Sequence, residues 1–349
     1  MIRRITRQVN VGNVKIGGDA PIAIQSMLNA PADDFSANLK QLKELEAAGC
    51  EIVRMAVPDM KAVAVLGKLK ENANIPLVAD IHFDYKLALE SLQAGVDKIR
   101  INPGNIGSQE RVAAVADACA LKGVPIRIGV NSGSVEKELL EKFGGATPEA
   151  MVESAFRHVA MLEACGFYDT IISIKSSDVE NMVKSYSLVA ERCDYPLHLG
   201  VTEAGTERSS LIKSSIGIGS LLIKGIGDTL RVSITDSPVK EIAAARDILN
   251  AVNLRVETPQ IVACPTCGRT KIDLVSLANQ VEESVKNIRK PIKIAVMGCV
   301  VNGPGEAREA DIGVAGGDGC GVIFRKGEIL RKVPETEIVK ALLDEIDKI

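Results

Sequence analysis

Three cysteines carry the spacing with the most chemistry in it. Cys264 and Cys267 form a Cys-x-x-Cys in Cys264-Pro265-Thr266-Cys267-Gly268, and Cys299 follows thirty-two positions after Cys267 in Met297-Gly298-Cys299-Val300-Val301-Asn302-Gly303-Pro304-Gly305-Glu306. Three thiolates on two loops suit an iron–sulfur cluster or a zinc ion, since both take sulfur ligands. A zinc ribbon usually presents a second Cys-x-x-Cys, whereas the second loop here offers one thiol and a downstream carboxylate, Glu306. The fourth ligand is Glu306, Cys320 or none from the chain. An iron with a weak or open position can bind substrate, while a cluster held wholly by thiolates usually only passes electrons. Cys50, Cys119, Cys165 and Cys193 lack partner spacing and read as small buried hydrophobes at helix ends.

A second set of reactive residues lies inside apolar strands. Val53-Arg54-Met55, Ile99-Arg100-Ile101, Ile126-Arg127-Ile128, Ile174-Lys175-Ser176 and Leu230-Arg231-Val232 each put a cation between aliphatic neighbours. A buried unpaired charge costs several kcal/mol, so these positions require partners. If they converge at one mouth they suit a phosphate-bearing ligand, arginine through bidentate hydrogen bonds and lysine as a point charge. The bland alternative has them outward-facing or paired with Asp80, Asp97 and Glu203. Asn131 and Ser233 could add neutral hydrogen bonds to the same anion or simply cap loops. Glu203, in Gly200-Val201-Thr202-Glu203-Ala204-Gly205, is a carboxylate beside those cations and suits either an acid–base role or an ion pair. His82 and His198 lie near strand ends, where a lone histidine is more often packed than catalytic.

The elements that must position these groups repeat. Eight short apolar runs, 22–26, 52–56, 77–81, 98–102, 126–130, 171–175, 197–201 and 230–234, are each followed by an amphipathic helical pattern. Strict β/α alternation implies buried parallel strands, and eight repeats favour a closed (βα)8 TIM barrel over a doubly wound sheet. No Gly-x-Gly-x-x-Gly opens the first helix, which weakens a dinucleotide-binding reading. Two short strands before residue 18 should form a hairpin capping one end. A connector at Glu257-Thr258-Pro259-Gln260 leads into a small α+β iron–sulfur or zinc domain. The expected domains are 1–253 and 254–349.

Composition narrows the function classes. The 349 residues carry 42 basic and 45 acidic side chains, for a net charge of −3, so neither a nucleic acid nor a membrane surface is expected as partner. No stretch approaches the roughly 18 apolar residues of a membrane span, and the basic start is not followed by an apolar run. A cytoplasmic protein is expected, and there eight cysteines are thiols or ligands rather than disulfides.

Taken together, Cys264-Pro265-Thr266-Cys267-Gly268-Arg269-Thr270 and Gly298-Cys299 through Glu306-Ala307, with Val53-Arg54-Met55-Ala56-Val57-Pro58, Asp80-Ile81-His82-Phe83, Arg100-Ile101-Asn102-Pro103-Gly104-Asn105 and the Glu203 segment, resemble the 4-hydroxy-3-methylbut-2-enyl diphosphate synthase family over essentially the whole chain. The length is that of the bacterial two-domain form. The resemblance implies an oxidoreductase of the non-mevalonate route of isoprene and terpenoid biosynthesis, which opens 2-C-methyl-D-erythritol 2,4-cyclodiphosphate with two electrons and loss of water. It implies that Arg54, His82, Arg100, Arg127, Asn131, Lys175, Arg231 and Ser233 hold the diphosphate and that Glu203 donates a proton. Cys264, Cys267, Cys299 and Glu306 would hold a [4Fe-4S] cluster. Flavodoxin or ferredoxin would supply electrons, and a homodimer would set one subunit's cluster domain over the other's barrel mouth. Two other readings compete: a zinc-stabilised assembly module on a metabolite-binding barrel, and a pterin- or phosphate-binding transferase with structural thiols. A radical S-adenosylmethionine enzyme would need a Cys-x-x-x-Cys-x-x-Cys, which is absent.

Overall fold

The computed structural model describes residues 2–286, 288–299 and 308–349. It divides into two compact units, Met1–Val252 and Asn253–Ile349. The first opens on a hairpin, β1 (Val9–Val11) and β2 (Val14–Ile16). Eight parallel strands follow: β3 (Ala23–Met27), β4 (Ile52–Ala56), β5 (Leu77–Asp80), β6 (Lys98–Ile101), β7 (Ile126–Asn131), β8 (Thr170–Lys175), β9 (His198–Leu199) and β10 (Thr229–Leu230). They pair in the order β8-β7-β6-β5-β4-β3-β10-β9, and a parallel bridge from Ile172 to Leu197 brings β8 against the β9 segment, so the sheet curls into a nearly closed barrel.

Ten helices intervene: α1 (Phe35–Ala47), α2 (Met60–Asn72), α3 (Tyr85–Gln93), α4 (Pro103–Ile106), α5 (Gln109–Lys122), α6 (Lys137–Phe143), α7 (Pro148–Glu163), α8 (Val179–Arg192), α9 (Glu207–Ile223) and α10 (Pro238–Ala251). Their starts are written locally. Asp34, Asp59, Asp84, Thr147 and Asp178 each accept a hydrogen bond from a first-turn N–H, satisfying a donor that the helix leaves open. The hairpin packs Val9, Val11 and Ile16 onto Ala23, Ile52, Val78 and Ile171, closing the N-terminal end of the barrel with a dry apolar plug.

The anticipated strand limits shift in two places. β9 and β10 shrink to two residues each, so Arg231 stands just beyond β10 rather than within a strand. Their neighbours still bond in ladder fashion, with Arg231 N donating to Leu199 O at 3.0 Å and Thr202 N to Ser176 O at 3.2 Å.

The second unit is a five-stranded sheet of β11 (Gln260–Ala263), β12 (Lys293–Met297), β13 (Ile312–Gly317), β14 (Cys320–Arg325) and β15 (Glu328–Pro334), in that order. The first three run parallel and the last three antiparallel. Helices α11 (Leu274–Val285) and α12 (Ile338–Ile346) bury Leu277, Val281, Leu342 and Ile346 with Ile294, Val296 and Ile312. Among the described residues, no helix is long and apolar enough to cross a membrane.

Candidate functional site

Alternation along a strand sends every second side chain inward, and in this barrel the upper inward positions are polar. Met27, Arg54, Asp80, Arg100, Arg127, Asn131, Ser173, Lys175, Thr202, Arg231 and Ser233, with His82, line a cavity of about 240 Å³ at the C-terminal ends of the strands. That is the end where βα loops build barrel sites. All eight residues expected to grip an anion therefore meet around one space.

The charges there are unevenly matched. Asp80 is 3.0 Å from Arg100 Nη1, 3.6 Å from Arg54 Nε and 3.6 Å from His82 Nε2. Burial alone would raise the Asp80 pKa, but Arg54, His82 and Arg100 together hold it far below the usual carboxylate range. Arg231 donates from Nε and Nη2 to Glu241 on α10, at 2.9 and 2.8 Å. Arg54 has no second carboxylate and points Nε and Nη2 at the Met27 sulfur, 3.1 and 2.8 Å away. Among the described residues, Arg127 donates only to Ser173 Oγ at 3.3 Å, leaving its buried Nε and Nη2 without acceptors, and the buried Arg100 Nε likewise has none. Lys175 is buried and makes no ion pair among the described residues.

Two glycines make the cations' paths possible. A Cβ on Gly129 would lie 2.4 Å from Arg100 Nε, so only glycine lets that guanidinium cross β7 and donate to Gly129 O at 3.2 Å. A Cβ on Gly200 would meet Lys175 Nζ at 2.9 Å and the Arg231 carbonyl at 2.8 Å.

Burial, followed by the charges of Arg54, Arg127, Arg231 and Arg100, pushes the Lys175 pKa well below the usual lysine value. Its depressed pKa means the unfolded chain binds more protons, so this group penalises folding at low pH and releases that penalty as pH rises toward the unfolded value near 10.4. An anion in the cavity reverses the shift. At pH values between the free and bound pKa, diphosphate binding should therefore take up protons, and calorimetry in buffers of different ionisation enthalpy should read that uptake. Lys175→Met should remove a measurable part of it, and an unchanged uptake would assign the proton elsewhere.

Sequence reasoning passed over Glu241. It is only 2% exposed on the inward face of α10, between Pro238 and the buried Ile242, Ala244 and Ala245, and it also accepts from Ser26 Oγ at 2.7 Å. A glutamate on an otherwise apolar helix face was the available signal. Glu241→Ala leaves the half-buried Arg231 unpaired and the buried Ser26 hydroxyl without its acceptor, which should destabilise the chain by about 2–3 kcal/mol in denaturant titration. A change under 1 kcal/mol would mean that Arg231 finds another partner.

The bland pairings fare differently from one another. Asp97 binds Lys70 at 2.5 Å and the Leu77 N–H at 2.8 Å, not a strand cation. His198 is fully buried beside Thr229 Oγ1, 3.4 Å away, and does not line the cavity. Glu203 follows the cavity-lining Thr202 but is exposed, forms no ion pair among the described residues, and holds a left-handed φ of 51°. Such a backbone costs a non-glycine residue about 1–3 kcal/mol and gathers at functional loops. Asn131 adds backbone bonds to Ser134 Oγ at 3.0 Å, so it both caps the loop and faces the cavity.

In the second unit the thiol loops follow β11 and β12 and are tied together. Cys264 N donates to Val296 O at 3.2 Å, Lys271 N to Gly298 O at 3.0 Å, and Gly298 N to Cys264 Sγ at 3.2 Å. Cys299 is buried and Cys267 exposed. Hydrogen bonding from the Arg269 backbone, with the Arg269 charge, holds the Cys267 thiol below its ordinary pKa. Soft donors on abutting loops, with an amide N–H already on one sulfur, fit an iron–sulfur group. No set of three or more metal-binding side chains is gathered among the described residues, and Glu306 lies outside them. Of the remaining thiols, Cys50 and Cys119 are buried as expected, with burial pushing each pKa up to about 12, whereas Cys165 and Cys193 are only partly covered.

Comparison with known proteins now decides the family. The GcpE TIM-barrel domain matches residues 6–246 and the GcpE protein C-terminal domain matches residues 260–348. The chain belongs to the GcpE family. GcpE relatives with curated names include the 4-hydroxy-3-methylbut-2-en-1-yl diphosphate synthase (flavodoxin) of Clostridium perfringens, 57% identical over 349 residues, covering all of both chains. The enzyme of the same name from Caldanaerobacter subterraneus subsp. tengcongensis is 56% identical over 347 residues, 99% of this chain and 98% of that one. Among solved structures, the spore coat polysaccharide biosynthesis protein SpsE of Bacillus subtilis aligns with a TM-score of 0.51 at 11% identity, over 71% of this chain and 73% of its own. That likeness concerns the barrel fold alone.

Proposed function

We propose that this GcpE chain converts 2-C-methyl-D-erythritol 2,4-cyclodiphosphate to 4-hydroxy-3-methylbut-2-enyl diphosphate, with electrons delivered from flavodoxin through a [4Fe-4S] cluster. The observation that carries the reading is the barrel cavity, where four arginines and a lysine line a space sized for a small diphosphate. In the reaction the ring C–O bond to phosphate and a C–OH bond break, both pairs leaving on oxygen. Two supplied electrons form the C=C bond and one proton completes the departing water.

Each part of the chain then has a task. Arg54, Arg100, Arg127, Lys175 and Arg231 hold the diphosphate by charge, while His82, Asn131 and Ser233 orient it by hydrogen bonds. Glu203 delivers the proton to the departing hydroxyl. Residues 1–253 form the substrate domain and 254–349 the cluster domain, with Cys264, Cys267, Cys299 and Glu306 as ligands. When bound, the cluster would supply electrons one at a time. Flavodoxin is preferred to ferredoxin because the relatives' names specify it. We place the enzyme in the cytoplasm, as a homodimer in which each cluster domain covers the partner's barrel.

Metal content separates this reading from its rivals. Anaerobically purified protein should contain about four irons and four sulfides per chain, with a broad visible band that bleaches on reduction. About one zinc, no sulfide and no colour after reconstitution would leave a structural metal domain on a phosphate-binding barrel.

A further inference from the structure

The cavity's charge is divided between two walls, and the division matches one form of the ligand. On the β4–β6 side, Arg54 and Arg100 share the single carboxylate of Asp80, leaving one positive charge over. Arg231 is neutralised by the bidentate Glu241. On the β7–β8 side, Arg127 and Lys175 face the space with no carboxylate among the described residues. Once Lys175 has taken up its proton, that wall carries two uncompensated charges. Arg127 also keeps two buried N–H groups, Nε and Nη2, without acceptors among the described residues.

A cyclic diphosphate bears one charge and two non-bridging oxygens on each phosphorus. Breaking the ring C–O bond leaves the pair on oxygen, so one phosphate becomes terminal, with three free oxygens and two charges. The linear diphosphate thus reads minus two at its end and minus one inside, the same partition as the walls. We infer that the barrel site is charge-matched to the ring-opened diphosphate, with its terminal phosphate against Arg127 and Lys175, rather than to the cyclic substrate. This rests on the reading of the cavity as a diphosphate site and extends it to how the site favours reaction. Donors fixed where charge appears as the bond breaks stabilise the transition state more than the ground state.

Calorimetric titration of the oxidised holoenzyme, which cannot turn over, tests the match. The probes are the cyclodiphosphate, the linear 4-hydroxy-3-methylbut-2-enyl diphosphate and a linear diphosphate esterified at both ends, at pH 7.5 and constant ionic strength. The linear monoester should bind at least about tenfold more tightly than either of the others, the equivalent of one added charge contact. Lys175→Met should reduce that preference to about threefold or less, while the wild-type ranking alone decides if the variant fails to fold. Equal or tighter binding of the cyclic form would overturn the charge match and leave the diphosphate site standing. Failure of all three probes to bind would overturn both.

Discussion

Cys299→Ser should leave a folded chain that retains no stoichiometric iron or sulfide and has no detectable turnover. Cys299 follows β12 and is 7% exposed, directly after Gly298, whose N–H bonds the Cys264 sulfur. Serine keeps the volume, and the core of the second unit rests on Ile294, Val296, Ile312 and Leu342 rather than on that thiol. Circular dichroism should accordingly change little, while an oxygen ligand in place of thiolate discards the soft donor that iron–sulfur sites require. Full iron retention in Cys299→Ser would remove this residue from the ligand set and give weight to Cys320, which lies on β14.

Glu203→Gln should lower turnover by about a hundred- to ten-thousand-fold, the usual worth of a positioned proton donor, with cyclodiphosphate affinity kept within about threefold. The separation of the two effects follows from where the residue sits. The charges proposed to grip the anion belong to Arg54, Arg100, Arg127, Lys175 and Arg231, whereas Glu203 is outside the cavity lining beside Thr202, with no ion pair among the described residues. Glutamine has the same shape and backbone preference, so the strained left-handed φ of 51° is unchanged. Wild-type turnover in Glu203→Gln would take the residue out of the mechanism. Equal loss of affinity and turnover would make it a loop-shaping residue instead.

The barrel was legible because its inward and outward strand faces are both buried, which writes each strand as an aliphatic run such as Ile126-Arg127-Ile128 or Ile171-Ile172-Ser173-Ile174. Cations inside such runs stand out, and the five arginines and lysines were readable as one site before any contact was known. Their counter-charges were not equally readable. Asp80 lies on a neighbouring strand two positions from His82, so its partnership with Arg54 and Arg100 was one of the options in view. Glu241 reaches Arg231 from a helix, a pairing fixed by tertiary packing that leaves only a polar residue on an apolar face as its trace. The shortened β9 and β10 have a similar origin. Their predicted C-terminal halves keep single ladder bonds without the regular pairing of a strand, and Gly200 there leaves room for Lys175 Nζ, which a Cβ would approach to 2.9 Å. Asp97, named only within the alternative of paired cations, serves the N-terminal end of the barrel, where it holds Lys70 and the start of β5.

The most direct test is turnover itself. Reconstituted protein, reduced flavodoxin and 2-C-methyl-D-erythritol 2,4-cyclodiphosphate, incubated without oxygen and followed by phosphorus NMR, should lose the two ring phosphate signals and gain those of a linear diphosphate, with one product consuming two electrons. Retention of the cyclic signals by a protein that carries its full iron and sulfide, with reduced flavodoxin in excess, would contradict the account.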